Sequence, residues 1–129
     1  MRFGYTIIYV PDVRSTVEFY ERAFGLMRRF IAEDGSYAEL ETGTTALAFA
    51  SDALGAANLP DGYALNRREA LPAGIEIALV TEDVNTAYTN AIAAGADALV
   101  PPKHKPWGQL VAYVRDLNGV LIELCSPMS

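Results

Sequence analysis

One cysteine, one histidine and one tryptophan occur in 129 residues, and no run of 18 apolar residues is present. Each scarcity closes a class of function. The single thiol, Cys125, has no intramolecular partner, so a disulfide-stapled scaffold is excluded. Without a long apolar run there is no membrane-spanning helix. The stretch after Met1 has neither a basic leader nor a cleavage site, which together with the lone cysteine predicts a reduced, cytoplasmic setting. Positive charge is also short: 10 Lys and Arg against 16 Asp and Glu, a net charge of −6. Such a chain repels phosphate backbones, so neither nucleic acid nor an anionic membrane surface is an expected partner. The basic residues form only short clusters, Arg28–Arg29, Arg67–Arg68 and Lys103–Lys105 around His104. No phosphate-cradling P-loop, no G-x-G-x-x-G after a strand, no G-x-S-x-G and no C-x-x-C is found.

What is abundant is apolar surface, 51% of the residues, enough for one compact domain with a packed core. It is arranged twice on one plan. "YTIIYVPDVRSTVEFYERAFG" from Tyr5 and "EIALVTEDVNTAYTNAIAAGA" from Glu76 each read as a short apolar strand, an Asp-Val junction, a helix and a glycine. A shift of 71 positions lays Asp12 on Asp83. Val13, Val17, Tyr20 and Phe24 then match Val84, Tyr88, Ala91 and Gly95, the stepping of one helical face. Asp12 and Asp83 stand where a carboxylate accepts the first free helix N–H groups, and Gly25 and Gly95 where the helices should stop. Three strand-like runs follow each helix: Met27–Ile31, Tyr37–Glu41 and Thr44–Ala50, then Asp97–Val100, Gln109–Arg115 and Val120–Cys125. The fold class predicted is therefore α+β, with one βαβββ module over residues 1–51, a connector over 52–73 and a second module over 74–129. Neither half has enough core to stand alone, so both are expected within a single domain over 1–129.

The paired modules, with "YVPDVRSTVEFYERAFGL" near the start and "WGQLVAYVRDLNGVLIELCSP" at the end, resemble the vicinal oxygen chelate superfamily. Its members include glyoxalase I, bleomycin-resistance proteins, fosfomycin-resistance enzymes and extradiol dioxygenases. The closing "RDLNGVLIEL" is similar to that family's R-D-P-D-G-x-x-I-E-L signature, with Leu117 and Asn118 in place of Pro and Asp. The resemblance implies cupped mixed sheets around a cavity, with helices outside. It also implies that metal-binding members draw ligands from the first and last strands of each module. Laying Gly43 on Gly119 pairs Leu47 with Glu123, so the four family positions map to Tyr5, Leu47, Glu76 and Glu123. Strand alternation would then turn Tyr5, Ile7, Tyr9, Thr45, Leu47 and Phe49 to the cup and put Ala46, Ala48 and Ala50 beneath the first helix. In the second module Glu76 and Glu123 face the cup, and Ile75, Ile77, Leu79, Ile122 and Leu124 face the helix.

Leucine coordinates nothing, and a tyrosine phenolate is costly far below its ordinary pKa near 10. His104 lies in "PPKHKP", away from the four positions. Two carboxylates remain, short of the three or more ligands of a Zn²⁺ or Fe²⁺ site. No metal or other cofactor is expected. Glu76 and Glu123 have three readings: contacts for a ligand cation or donor, an acid–base pair, or solvated carboxylates hydrogen-bonded to Tyr or Arg. The ligand-binding set expected is Trp107, Tyr5, Phe30, Tyr37, Phe49, Tyr113, Glu76, Glu123 and His104, since flat aromatic rings with polar tips suit planar ligands. No catalytic residue is assigned. The resemblance implies a homodimer and a metal-independent binder of the bleomycin-resistance type that sequesters an aromatic or peptide natural product. The alternatives are a glyoxalase I-like lyase and a non-catalytic scaffold. Trp107 has its own second reading, as an anchor for its loop or for a dimer contact.

Overall fold

The computed structural model describes residues 1–128. The chain runs β1 (Tyr5–Val10), α1 (Val13–Phe24), β2 (Arg28–Ile31), β3 (Tyr37–Leu40), β4 (Ala46–Ser51), α2 (Asp52–Asn58), β5 (Glu76–Val80), α3 (Val84–Ala93), β6 (Asp97–His104), β7 (Leu110–Arg115) and β8 (Leu121–Cys125). This is the α+β arrangement of two βαβββ modules, each built on a four-stranded mixed sheet. The chain divides into two compact units, Met1–Asn66 and Arg67–Ser129, the division falling inside the connector. That connector holds the short helix α2, whose first turn is capped by Ser51.

In the first unit the strand order is β1-β4-β3-β2, with β1 parallel to β4 and the other pairs antiparallel. Asp12 caps α1 as its sequence position predicts, its carboxylate accepting the Ser15 N–H at 2.9 Å. The helix stops at Gly25, whose φ of 69° is the left-handed conformation that glycine adopts without a Cβ clash. Val13, Val17, Phe19 and Tyr20 of α1 are buried, and the Tyr20 ring lies 4.8 Å from that of Phe49. That contact fixes the sides of the sheet. Phe49 and Leu47 lie beneath α1, so Ala46, Ala48 and Ala50 take the opposite, open face. The alternation expected for this strand is thus inverted. In register with those alanines, Tyr5, Ile7 and Tyr9 of β1 also belong to the open face, as do Tyr37 and Glu39 of β3.

The second unit repeats the plan in the order β5-β8-β7-β6. Asp83 caps α3 by accepting the Thr86 N–H at 3.0 Å, and the helix ends at Ala94, one residue before Gly95 with φ of 114°. Val84 and Ala91 of α3, Ala112 and Val114 of β7, and Ile122 and Leu124 of β8 are all at most 2% exposed and form this unit's core. Ile77 and Leu79 alternate with Glu76 as expected, whereas Ile75 precedes β5 and is exposed. The β6 strand is longer than its pattern suggests. It runs through Pro101 and Pro102 to His104, with register shifts on both sides of Val100. Prolines, lacking an N–H, are tolerated there because β6 is an edge strand with an irregular ladder.

The signature segment accounts for itself in this unit. The buried Asp116 carboxylate accepts N–H groups of Asn118 (2.8 Å) and Val120 (2.9 Å), closing the β7–β8 turn. The Arg115 guanidinium donates to the carbonyls of Gly119 (2.8 Å) and Ala70 (2.6 Å), tying the preceding segment to the turn. A Cβ at Gly119 would strike that guanidinium and the Arg67 carbonyl, and its φ of 87° disfavours any side chain.

Candidate functional site

Glu76, Tyr113 and Glu123 come together on the open face of the second sheet. Glu123 is paired in register with Tyr113 on one side and with Ala78 on the other, and Glu76 stands two residues before Ala78 on β5. The Tyr113 hydroxyl donates to Glu123 Oε1 at 3.2 Å. The two carboxyl groups are like-charged neighbours, which disfavours ionising both. Partial burial raises the Glu76 carboxyl above the usual carboxylate range, and the hydrogen bond and like charge of Glu123 raise it further. The Tyr113 phenol is also raised, by burial first and then by the Glu123 charge. Cys125 is buried beside them, and burial followed by Glu123 pushes its thiol up, away from nucleophilic chemistry. Among the described residues no cation bonds to either acid: Arg115 is occupied with carbonyls, and Lys105 Nζ lies 5.8 Å from the centroid of the Tyr113 ring.

The first sheet carries a different set on its open face. Arg29 grips Glu41 through two donors, Nε at 3.0 Å and Nη2 at 2.8 Å, and reaches Glu39 through Nη1 at 3.0 Å. Tyr37 donates its hydroxyl to the other Glu39 oxygen at 2.8 Å. The Arg29 hydrogen bonds hold the Glu41 carboxyl below the usual range, while burial and Glu39 drive the Tyr37 phenol well above its own. Phe30 and Tyr37 are ring neighbours at 5.9 Å, and Tyr5 is exposed on the same sheet face. The strand Tyr37–Leu40 carried the signal for this cluster, because a two-residue period aligns Tyr37, Glu39 and Glu41 on one face. Arg29 had no comparable signal.

Trp107 sits at the tip of the β6–β7 hairpin, 61% exposed. The turn closes by Lys105 N–H to Gln109 O (2.8 Å) and Gly108 N–H to Lys105 O (2.9 Å). Gly108 permits this closure with a φ of 101°. Its indole N–H donates to Gln109 Oε1 at 2.7 Å, and Gln109 donates on to the Ser126 carbonyl at 2.8 Å. The ring is therefore oriented from the end of β8 while its faces remain accessible. His104 is exposed at the end of β6.

Two placements expected from the sequence are corrected. Phe49 is fully buried against Tyr20 in the first unit's core, because its strand presents the other face to the open side. The position matching Glu123 is Ala48 rather than Leu47. Tyr5 pairs with Ala46 as Glu76 pairs with Leu121, and two residues further along are Ala48 and Glu123. The four family positions are thus Tyr5, Ala48, Glu76 and Glu123. These residues do not fit the family's metal: an alanine, a phenol and two acids lack the imidazoles such sites use. Among the described residues, no three His, Cys, Asp or Glu are grouped so as to hold a metal ion. Nor, among them, is any helix long and apolar enough to cross a membrane.

Comparison with solved structures returns the same fold from distant sequences. A glyoxalase-related enzyme from Fulvimarina pelagi superposes with a TM-score of 0.83 at 18% identity, over 98% of this chain and 88% of that one. TioX from Micromonospora sp. ML1 superposes with a TM-score of 0.70 at 22% identity, over 98% of each chain. A glyoxalase/bleomycin resistance protein/dioxygenase from Nocardioides gives 0.74 at 19%, over 100% and 85%. At such identities the likeness speaks for the fold alone. Comparison with curated proteins gave no match. The model of the glyoxalase/bleomycin resistance protein/dioxygenase superfamily matches residues 2–124, and the chain belongs to that superfamily.

Proposed function

We propose that this chain is a metal-independent binding protein of the bleomycin-resistance type, which sequesters an aromatic or peptide small molecule and acts as a homodimer. The observation that carries the reading is the chemistry at the family's ligand positions. Tyr5, Ala48, Glu76 and Glu123 supply no imidazole, and burial together with the neighbouring Glu123 raises the Glu76 carboxyl, which weakens it as a metal ligand. Trp107 supports it, being held by Gln109 with its ring exposed. Stacking against an oriented indole spends little ordering entropy on binding. Tyr5, Phe30, Tyr37 and Tyr113 offer further aromatic surface, and Glu76 and Glu123 meet donors or cations on the ligand. As the chain holds a single tryptophan, its fluorescence reports on one place. Screening planar natural products in the presence of a chelator should give saturable quenching that Trp107→Ala abolishes. Stoichiometric retention of Ni²⁺, Zn²⁺, Mn²⁺ or Fe²⁺ after dialysis, with quenching lost on chelation, would contradict the reading.

One observation favours a second reading, a glyoxalase-type lyase. A raised carboxyl at Glu76 beside Glu123 is the arrangement that lets one acid hold a proton while its neighbour accepts one. It predicts turnover of α-oxo thiol adducts that Glu123→Gln abolishes. A binder leaves those adducts unchanged.

A further inference from the structure

We propose that the β6–β7 hairpin tip recognises an anionic group carried beside an aromatic ring. This inference rests on the stacking role of Trp107 and adds the sign of charge the ligand presents there. Between Asp97 and Asp116 the chain has no acidic residue, yet Lys103, His104 and Lys105 fall together, separated from Trp107 only by Pro106. In a protein of net charge −6, that is a local reversal of sign. The neighbouring cations of the fold are engaged elsewhere: Arg68 is paired with Asp97 at 2.8 Å, and Arg115 donates to the carbonyls of Gly119 and Ala70. Lys103 and Lys105 form no ion pair among the described residues, and Lys105 instead sits 5.8 Å over the ring of Tyr113. A flat ring on the indole would lie beside these ammonium groups, which attract an anionic substituent on that ring. A small anion is favoured over a polyanion because the rest of the molecule repels extended negative charge.

The indole N–H of Trp107 gives one resolved signal in a ¹H–¹⁵N correlation spectrum, since there is one tryptophan. The full chain is titrated with 2-naphthoate, with 2-naphthylmethylammonium and with a short oligothymidylate, each alone. Naphthoate should shift the indole signal with an apparent Kd at least about threefold below that of the ammonium compound. A K103Q/K105Q double variant, with its amide dispersion unchanged, should weaken naphthoate about fivefold and leave the ammonium compound unaffected. Equal binding of the two naphthalenes would overturn the charge preference while leaving stacking intact. No shift with either naphthalene would overturn stacking and the inference with it. Tighter binding of the oligonucleotide would replace the small anion by a nucleic acid and also overturn it.

Discussion

The two sheets share strand order, helix placement and capping chemistry, yet their open faces treat acidic side chains in opposite ways. In the first unit, Glu39 and Glu41 are both held by Arg29, and Tyr37 completes the ring of bonds around the buried Glu39. In the second, among the described residues no cation is bonded to Glu76 or Glu123, and burial with the neighbouring Glu123 raises the Glu76 carboxyl. By strand register, Glu39 occupies in the first sheet the place that Tyr113 occupies in the second, and Ala48 the place of Glu123. The exchange of acid and phenol is completed on the first strands, where Tyr5 occupies the place of Glu76. The lesson is that a duplicated scaffold sets where side chains point, while the neighbours at each register position decide whether an acid is a structural partner or a group left for chemistry.

The comparison breaks most visibly at Arg29. Replacing it by methionine keeps the apolar stem and strands Glu39, which is 8% exposed, without its cation. The variant should be clearly less stable than the native chain at neutral pH, though by less than the loss of a fully buried pair costs, because Arg29 is about one-third exposed. Urea denaturation should show the loss as a lower midpoint.

A smaller effect follows from giving the second sheet what the first has. Ala78 is exposed and pairs in register with Glu123, so Ala78→Lys sets an ammonium beside the acid pair. The Glu76 carboxyl should fall back to or below the usual range in a ¹³C-detected carboxyl titration. Stability at neutral pH should rise by about 0.5 kcal/mol.

Glu76→Gln tests the same point by removal. A carboxyl whose folded pKa lies above its unfolded value stabilises fully below the unfolded pKa and loses that contribution as pH rises through the folded one. The Gln variant should therefore equal or exceed the native chain at pH 7, by no more than about 0.5 kcal/mol because Glu76 is exposed. The difference should vanish below the ordinary glutamate range, as followed by thermal melts across pH. Smallest of all should be Tyr113→Phe, which removes one 3.2 Å donor from Glu123 and should move the pair's titration with almost no change in stability.

Much of this was legible in the residues. The Asp12 and Asp83 caps, the helical stepping after each, and the turn at Arg115–Gly119 all depend on contacts a few residues apart, which local patterns record. Glu76 and Glu123 were readable as partners because each interrupts an apolar strand in an equivalent place. The faces of β4 were not readable. Ala46, Leu47, Ala48, Phe49 and Ala50 are all buried, so no polar alternation marks which side meets the helix. The mismatch of Leu47 with Glu123 had a related cause: turn glycines were aligned where strand pairing sets the register. Arg29 stayed hidden because its partners lie on β3 and beyond, across a register shift between Arg28 and Phe30. Phe30 and Tyr37, by contrast, do meet, as two adjacent aromatic strands would suggest.

The account turns on the opposite electrostatic settings of Glu76 and Glu41 on the two open faces, and a site-resolved ¹³C carboxyl titration of the native chain tests that directly. The prediction is that Glu76 titrates above the ordinary glutamate range, in a curve distorted by its partner, while Glu41 titrates below that range. A simple curve for Glu76 within the ordinary range would mean that this acid is independent and solvated, and would contradict the account.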